Sequence, residues 1–174
     1  MGLYDRDYTQ HDFGSRHGYA PQMRMAMPSL TPVVKSLLIA NVAVFLLCVL
    51  IPPVGSFLLY WCSVFPETIG MSLQPWRVIT YQFLHDTHGF GHILWNMVGL
   101  YFFGIILEQR WGSRKFLSFY LVCGAMGGIF YPILAHAGWL EKGPLIGASG
   151  AILGIIAACA VMFPNMRVLL FFMF

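Results

Sequence analysis

The sequence predicts an all-α membrane protein, a polytopic helical bundle with four complete transmembrane helices and the start of a fifth. Three observations carry this. Hydrophobic residues make up 58% of the 174 and charged residues only 10%, against about 25% charged in a soluble domain. Apolar runs recur at 33–51, 91–107, 116–135 and 147–163, each near the roughly twenty residues a helix needs to cross a bilayer. Basic residues cluster in alternate connections, as the positive-inside rule demands of a polytopic chain.

Residues 1–32 mix Gly, Tyr, Met, Pro and scattered charges without periodicity, and read as a disordered cytoplasmic tail. They lack the apolar stretch behind a basic start that marks a signal peptide. Residues 33–174 form the transmembrane domain. Its first span, 33–51, is stopped by Pro52-Pro53, because proline removes a helical donor. Residues 54–90 are broken by Gly55, Pro66, Gly70 and Pro75 and carry Trp61 and Trp76. They read as a large structured loop, partly helical and partly sunk into the membrane–water boundary that aromatic residues favour. The second span, 91–107, ends at Glu108-Gln109-Arg110, the third covers 116–135 and the fourth 147–163. A further apolar run starts at 168 and reaches Phe174.

Arg6, Arg16, Arg24 and Lys35 lie at the N-terminal side, and Arg110, Arg114 and Lys115 between the second and third spans. The 54–90 loop has only Arg77, and the loop before the fourth span only Lys142. This charge bias sets the N-terminus and the second turn in the cytoplasm. The expected location is therefore a multi-pass protein of a bacterial inner or plasma membrane. A net charge of +3, spread along the chain, gives no case for nucleic acid. The four cysteines, Cys48, Cys62, Cys123 and Cys159, form no C-x-x-C pair and read as small buried apolar residues.

Gly147-Ala148-Ser149-Gly150 opens the fourth span and admits two readings. One is packing: Gly150 and Gly154 make a G-x-x-x-G pair, which lets membrane helices approach closely. The other is that Ser149 is a nucleophile, uncovered by its small neighbours. The unpaired N–H groups of the first helical turn would then stabilise an oxyanion. His92 and Asn96 stand four apart in the second span, hence on one face, with Gly99 continuing it. Both spans enter from outside, so all three polar groups share one depth, where polar side chains usually mark function. His85-x-x-His88-x-x-x-His92 could suit a metal, but Gly89 and Gly91 interrupt the helix that would hold it. No metal or other cofactor is expected.

From Trp76 to Phe163 the chain resembles the rhomboid intramembrane serine proteases. The resemblance rests on Trp76-Arg77, Thr80, Phe83-Leu84-His85, His92 through Asn96, Glu108 with Gly112, and Gly147-Ala148-Ser149-Gly150, in that order. It implies a bundle of the rhomboid type, with a core of six helices, that cleaves transmembrane protein substrates within the lipid bilayer. It makes Ser149 the nucleophile and gives oxyanion stabilisation to His92, Asn96 and the backbone at Ser149 and Ala148. Trp76, Arg77, His85, Glu108, Gly112, Gly147 and Gly150 would support the structure. The family's general base is a histidine on the sixth helix. The six histidines here are His11, His17, His85, His88, His92 and His136, all before Ser149. The expectation is a fragment whose base and last helices lie beyond Phe174, inactive as it stands. The alternative is an inactive relative that binds transmembrane segments without cutting them.

Overall fold

The computed structural model describes residues 29–66 and 74–164. Of the expected tail over 1–32, only the last four residues fall within this range, and the apolar run from 168 falls outside it. The described residues are helical, with no sheet; a single antiparallel bridge joins Val64 to Leu145. Among the described residues, three helices are long and apolar enough to cross a membrane: α1 (Pro32–Leu50), α4 (Gly91–Trp111) and α5 (Ser113–His136). Between α1 and α4 lie α2 (Pro52–Cys62) and the short α3 (Arg77–Thr80), which runs into a 3-10 turn at Tyr81–Phe83. The last helix among the described residues is α6 (Ser149–Met162).

Pro32 starts α1, a position where its missing N–H costs nothing. The remaining amides at that end are capped from far along the chain. Glu108 accepts the N–H of Val33 at 3.0 Å and of Val34 at 2.9 Å, and Ser113 donates its hydroxyl to the same carboxylate at 2.6 Å. A negative group at a helix N-terminus also meets the positive end of the dipole. Glu108 thus caps the start of α1 from the α4–α5 corner. Gly112, four residues on, has φ 81° and open space where a Cβ would stand. Its backbone conformation, rather than crowding, requires glycine at the α4–α5 corner.

Pro52-Pro53 ends α1 as expected, but it also begins α2, an 11-residue helix that opens the stretch expected to be a structured, partly helical loop. The residue before a proline is driven out of the helical region, and Ile51 accordingly has φ −128° and ψ 80°. Proline at the next helix's first turn is then favourable. Gly55 lets α2 lie against α1, since a Cβ there would stand 2.9 Å from the Cys48 carbonyl oxygen. Phe57, Tyr60, Trp61 and, nearby, Trp76 remain exposed, the residue types that favour a lipid–water boundary.

The C-terminal carbonyls of α2 have no helical donors of their own, and the Trp76-Arg77 motif supplies them. Arg77 donates to the carbonyls of Tyr60 at 2.7 Å and Ser63 at 2.6 Å. Trp76 Nε1 donates to Trp61 at 3.1 Å, and the Thr80 hydroxyl to Cys62 at 2.9 Å. Four successive carbonyls are satisfied by three side chains of one helical turn.

The expected fourth span, 147–163, is shorter as built. α6 has 14 residues, about 21 Å at 1.5 Å per residue, and falls below the length of the other three. Gly147 (φ 112°) and the segment before it take a non-helical path, and Pro164 drives Phe163 out of the helix. The packing reading of the small residues holds at the same time. A Cβ on Gly150 would stand 3.8 Å from Gly127 Cα and 3.9 Å from Gly124 Cα, and one on Gly154 only 2.5 Å from Cys123 Sγ. α6 lies in contact with α5 along this stripe, and Gly99 of α4 meets Ile152 from the other side. The buried core joins Val34 and Leu37 of α1 to Leu100, Ile105 and Leu107 of α4, Phe116 and Tyr120 of α5, and Ala151, Ile152 and Ile155 of α6. Within α4, Leu100–Gly104 is a π-helical segment, and the Phe103 carbonyl accepts the Cys159 thiol of α6 at 3.7 Å.

Candidate active site

Ser149 is the first residue of α6, solvent-exposed, while Gly147 and Ala148 before it are buried. The first N–H groups of the helix have no intrahelical acceptor and point outward at this end. A cleft of about 380 Å³ is lined by Ser149, Ile152 and Leu153 of α6 and by Gly91, His92, Trp95 and Asn96 of α4. The structure therefore brings Ser149, His92 and Asn96 together.

The turn before Ser149 is fitted to His92. A Cβ on Gly147 would stand 2.7 Å from His92 Nε2 and 2.9 Å from its Cε1, with Asn96 Nδ2 at 3.9 Å. Space and a positive φ both demand glycine here. His92 Nδ1 accepts the backbone N–H of Asp86 at 3.4 Å. A neutral imidazole that accepts at Nδ1 carries its proton on Nε2, the atom lying over the Gly147 turn. Asn96, buried, donates one amide hydrogen to the His92 carbonyl at 2.8 Å, which leaves the other free.

A second cavity of about 810 Å³, also bordered by His92, is lined by residues of α1 and α2 and of the loop from Leu84 to His88. His85 lines it. Its ring centroid is 5.2 Å from that of His92, it is 5% exposed, and neither ring nitrogen has a hydrogen-bond partner. His88 turns away to Asp86, with Nδ1 2.8 Å from the carboxylate. Among the described residues, no three His, Cys, Asp or Glu side chains gather closely enough to hold a metal.

Burial, and secondarily the neighbouring His92, pushes the His85 pKa down from 6.5 to about 4. Above pH 6.5 the imidazole is neutral folded or unfolded, and this part of the stability is fully present. On acidification the unfolded chain takes up the proton first. Stability is therefore expected to fall by up to about 3 kcal/mol between pH 6.5 and 4. Unfolding in detergent as a function of pH checks this, and His85→Leu should flatten the acid limb. An unchanged slope in that variant would refute it.

Tyr81 was not legible as part of the site. Its carbonyl accepts the Gly147 N–H at 3.0 Å, and its hydroxyl donates to the Gly124 carbonyl at 2.6 Å. No spacing rule links residue 81 to residue 147; the nearest sequence signal was the run of glycines in the third span, where Gly127 and Gly128 leave room for its hydroxyl and ring and the Gly124 carbonyl accepts its hydroxyl.

The rhomboid domain model matches residues 72–174. The chain is 32% identical over 142 residues to rhomboid protein 1, mitochondrial, of Saccharomyces cerevisiae, covering 80% of this chain and 39% of that protein. It is 34% identical over 89 residues to rhomboid-like protease 3 of Toxoplasma gondii, covering 51% and 31%. To inactive RHOMBOID-like protein 8 of Arabidopsis thaliana it is 31% identical over 85 residues, covering 49% and 22%. The chain thus spans well under half the length of these relatives, one named a protease and another inactive. One of the three is named mitochondrial. The chain is an integral membrane protein and belongs to the rhomboid family.

Proposed function

We propose that this chain carries the nucleophile and oxyanion site of an intramembrane serine endopeptidase acting on transmembrane protein substrates. The observation that supports it is the shared cleft in which exposed Ser149, at the start of α6, faces His92 and Asn96 of α4. In this reading the Ser149 hydroxyl oxygen attacks a substrate carbonyl as its proton passes to a base. The resulting oxyanion is met by the His92 Nε2–H, the free Asn96 amide hydrogen and the first-turn N–H groups near Ala148 and Ser149. Such donors are each worth about 2.7–4 kcal/mol in comparable sites. The His92 tautomer suits it to donate rather than to take the serine proton. The other described histidines are also poorly placed as bases. His85 sits behind His92, His88 pairs with Asp86, and His136 donates Nδ1–H to the Pro132 carbonyl at 2.8 Å. The proton therefore passes to a group outside the described residues.

That same feature favours a second reading, an inactive rhomboid-like protein that binds transmembrane segments. A fluorophosphonate probe separates them, because it forms an oxygen–phosphorus bond only with an activated serine, expelling fluoride. Incubation of the full-length protein in liposomes, followed by peptide mapping, is expected to find the phosphonyl group on Ser149. Folded protein that stays unlabelled would decide for the binder.

A further inference from the structure

Tyr81 touches three separate parts of the molecule. It begins the 3-10 turn behind α3 and is fully buried. Its backbone carbonyl holds the Gly147 N–H at 3.0 Å, and its hydroxyl donates to the Gly124 carbonyl of α5 at 2.6 Å. Its ring occupies space that side chains on α5 would fill. A Cβ on Gly127 would stand 2.8 Å from the hydroxyl oxygen, and one on Gly128 2.9 Å from ring Cε1. The same hydroxyl oxygen faces α6, 3.2 Å from where a Gly150 Cβ would be.

The geometry points to Tyr81 as a positioning residue for Ser149, an inference that rests on the proteolytic reading. Ser149 stands between Gly147, whose N–H the Tyr81 carbonyl holds, and Gly150, whose bare Cα side the Tyr81 hydroxyl faces. One contact fixes the turn entering the helix, and the other sets how near the first turn of α6 comes to α5. The hydroxyl is itself pinned by Gly124, so it cannot yield when α6 presses on it. Its removal leaves a gap between three glycine surfaces into which the start of α6 can shift. Ser149 then moves relative to His92 and Asn96, which sit on a different helix. Misplacement of reacting groups by about 1 Å costs on the order of 100-fold in rate.

The test uses the full-length protein in liposomes with a membrane-anchored reporter substrate. Tyr81→Phe keeps the ring and should lower kcat about 10- to 100-fold. KM should stay unchanged, and the unfolding midpoint within about 4 °C of wild type. Gly150→Ala alone should also lower kcat, because its Cβ meets the pinned hydroxyl at 3.2 Å. Combined with Tyr81→Phe, that methyl has room and fills the gap, so the double variant should recover most of the lost rate. A merely structural tyrosine would give no such rescue. Wild-type kcat in Tyr81→Phe, or single losses that simply multiply in the double variant, would overturn the inference. A readout without catalysis runs beside it. In a Ser149→Cys chain, alkylation of that thiol by a small maleimide, resolved by peptide mass, should change severalfold on adding Tyr81→Phe. An unchanged rate there refutes the positioning role even if wild-type protein cleaves nothing, an outcome that would instead count against the proteolytic reading.

Discussion

On the proteolytic reading, replacing Ser149 by alanine is expected to abolish cleavage while leaving the fold intact. Deleting the nucleophile of a serine protease costs about 10⁶-fold in kcat, beyond the range of a liposome assay with a membrane-anchored reporter. The fold has no comparable stake in this hydroxyl. Ser149 is exposed, it begins the helix rather than capping it, and no cap hydrogen bond from a side chain is made at this end. Alanine is also the better helix former, so the unfolding midpoint should stay level or rise slightly. Ser149→Ala protein that cleaves at the wild-type rate would remove the nucleophile assignment outright. Loss of cleavage together with loss of folding would contradict the structural description of the α6 start.

Arg77→Ala should show the converse, a large loss of stability at a position remote from the cleft. The side chain is 0% exposed and donates to the Tyr60 and Ser63 carbonyls and to Gln74 Oε1 at 2.6 Å. Removing it leaves the end of α2 without these donors, the Ser63 carbonyl being the buried acceptor among those it serves. Charge-assisted hydrogen bonds contribute about 1.5–3 kcal/mol each, and not additively, so a loss of about 4 kcal/mol is expected. Arg77→Lys should recover less than half, because a single ammonium lacks the fork that reaches carbonyls and amide together. Equilibrium unfolding in mixed detergent micelles measures both. Destabilisation below about 1 kcal/mol in the alanine variant would place Arg77 among ordinary surface contacts.

The two residues also show what was legible in the sequence. The spans were readable because lipid leaves the backbone one local solution, a helix of fixed length, and three of them stand within a few residues of expectation. The relation of His92 to Asn96 was readable because four residues along a helix always return to one face. Ser149 could be set at their depth by counting loops and charges. Arg77 could be matched as part of a motif, but its purpose depended on where α2 ends. That helix was hidden because Pro52-Pro53 reads as a stop with equal right as a start. The shortening of α6 depended on a left-handed Gly147, which is fixed by contact with His92 and Tyr81 and not by its neighbours in sequence. Tyr81 itself was illegible for the same reason, since both of its partners arrive from elsewhere in the chain.

The carboxylate of Glu108 closes a circuit of 75 residues onto the amide of Val33. A ribosome delivers about 5–20 residues each second, so the first helix waits roughly 4–15 s in the membrane before that partner is made. Throughout this interval the N–H groups of Val33 and Val34 lack their carboxylate acceptor, while α2, already made, can pack against α1 through Gly55. Docking of the α4–α5 corner ends the interval. The start of α1 is therefore capped by a residue synthesised after both α1 and α2.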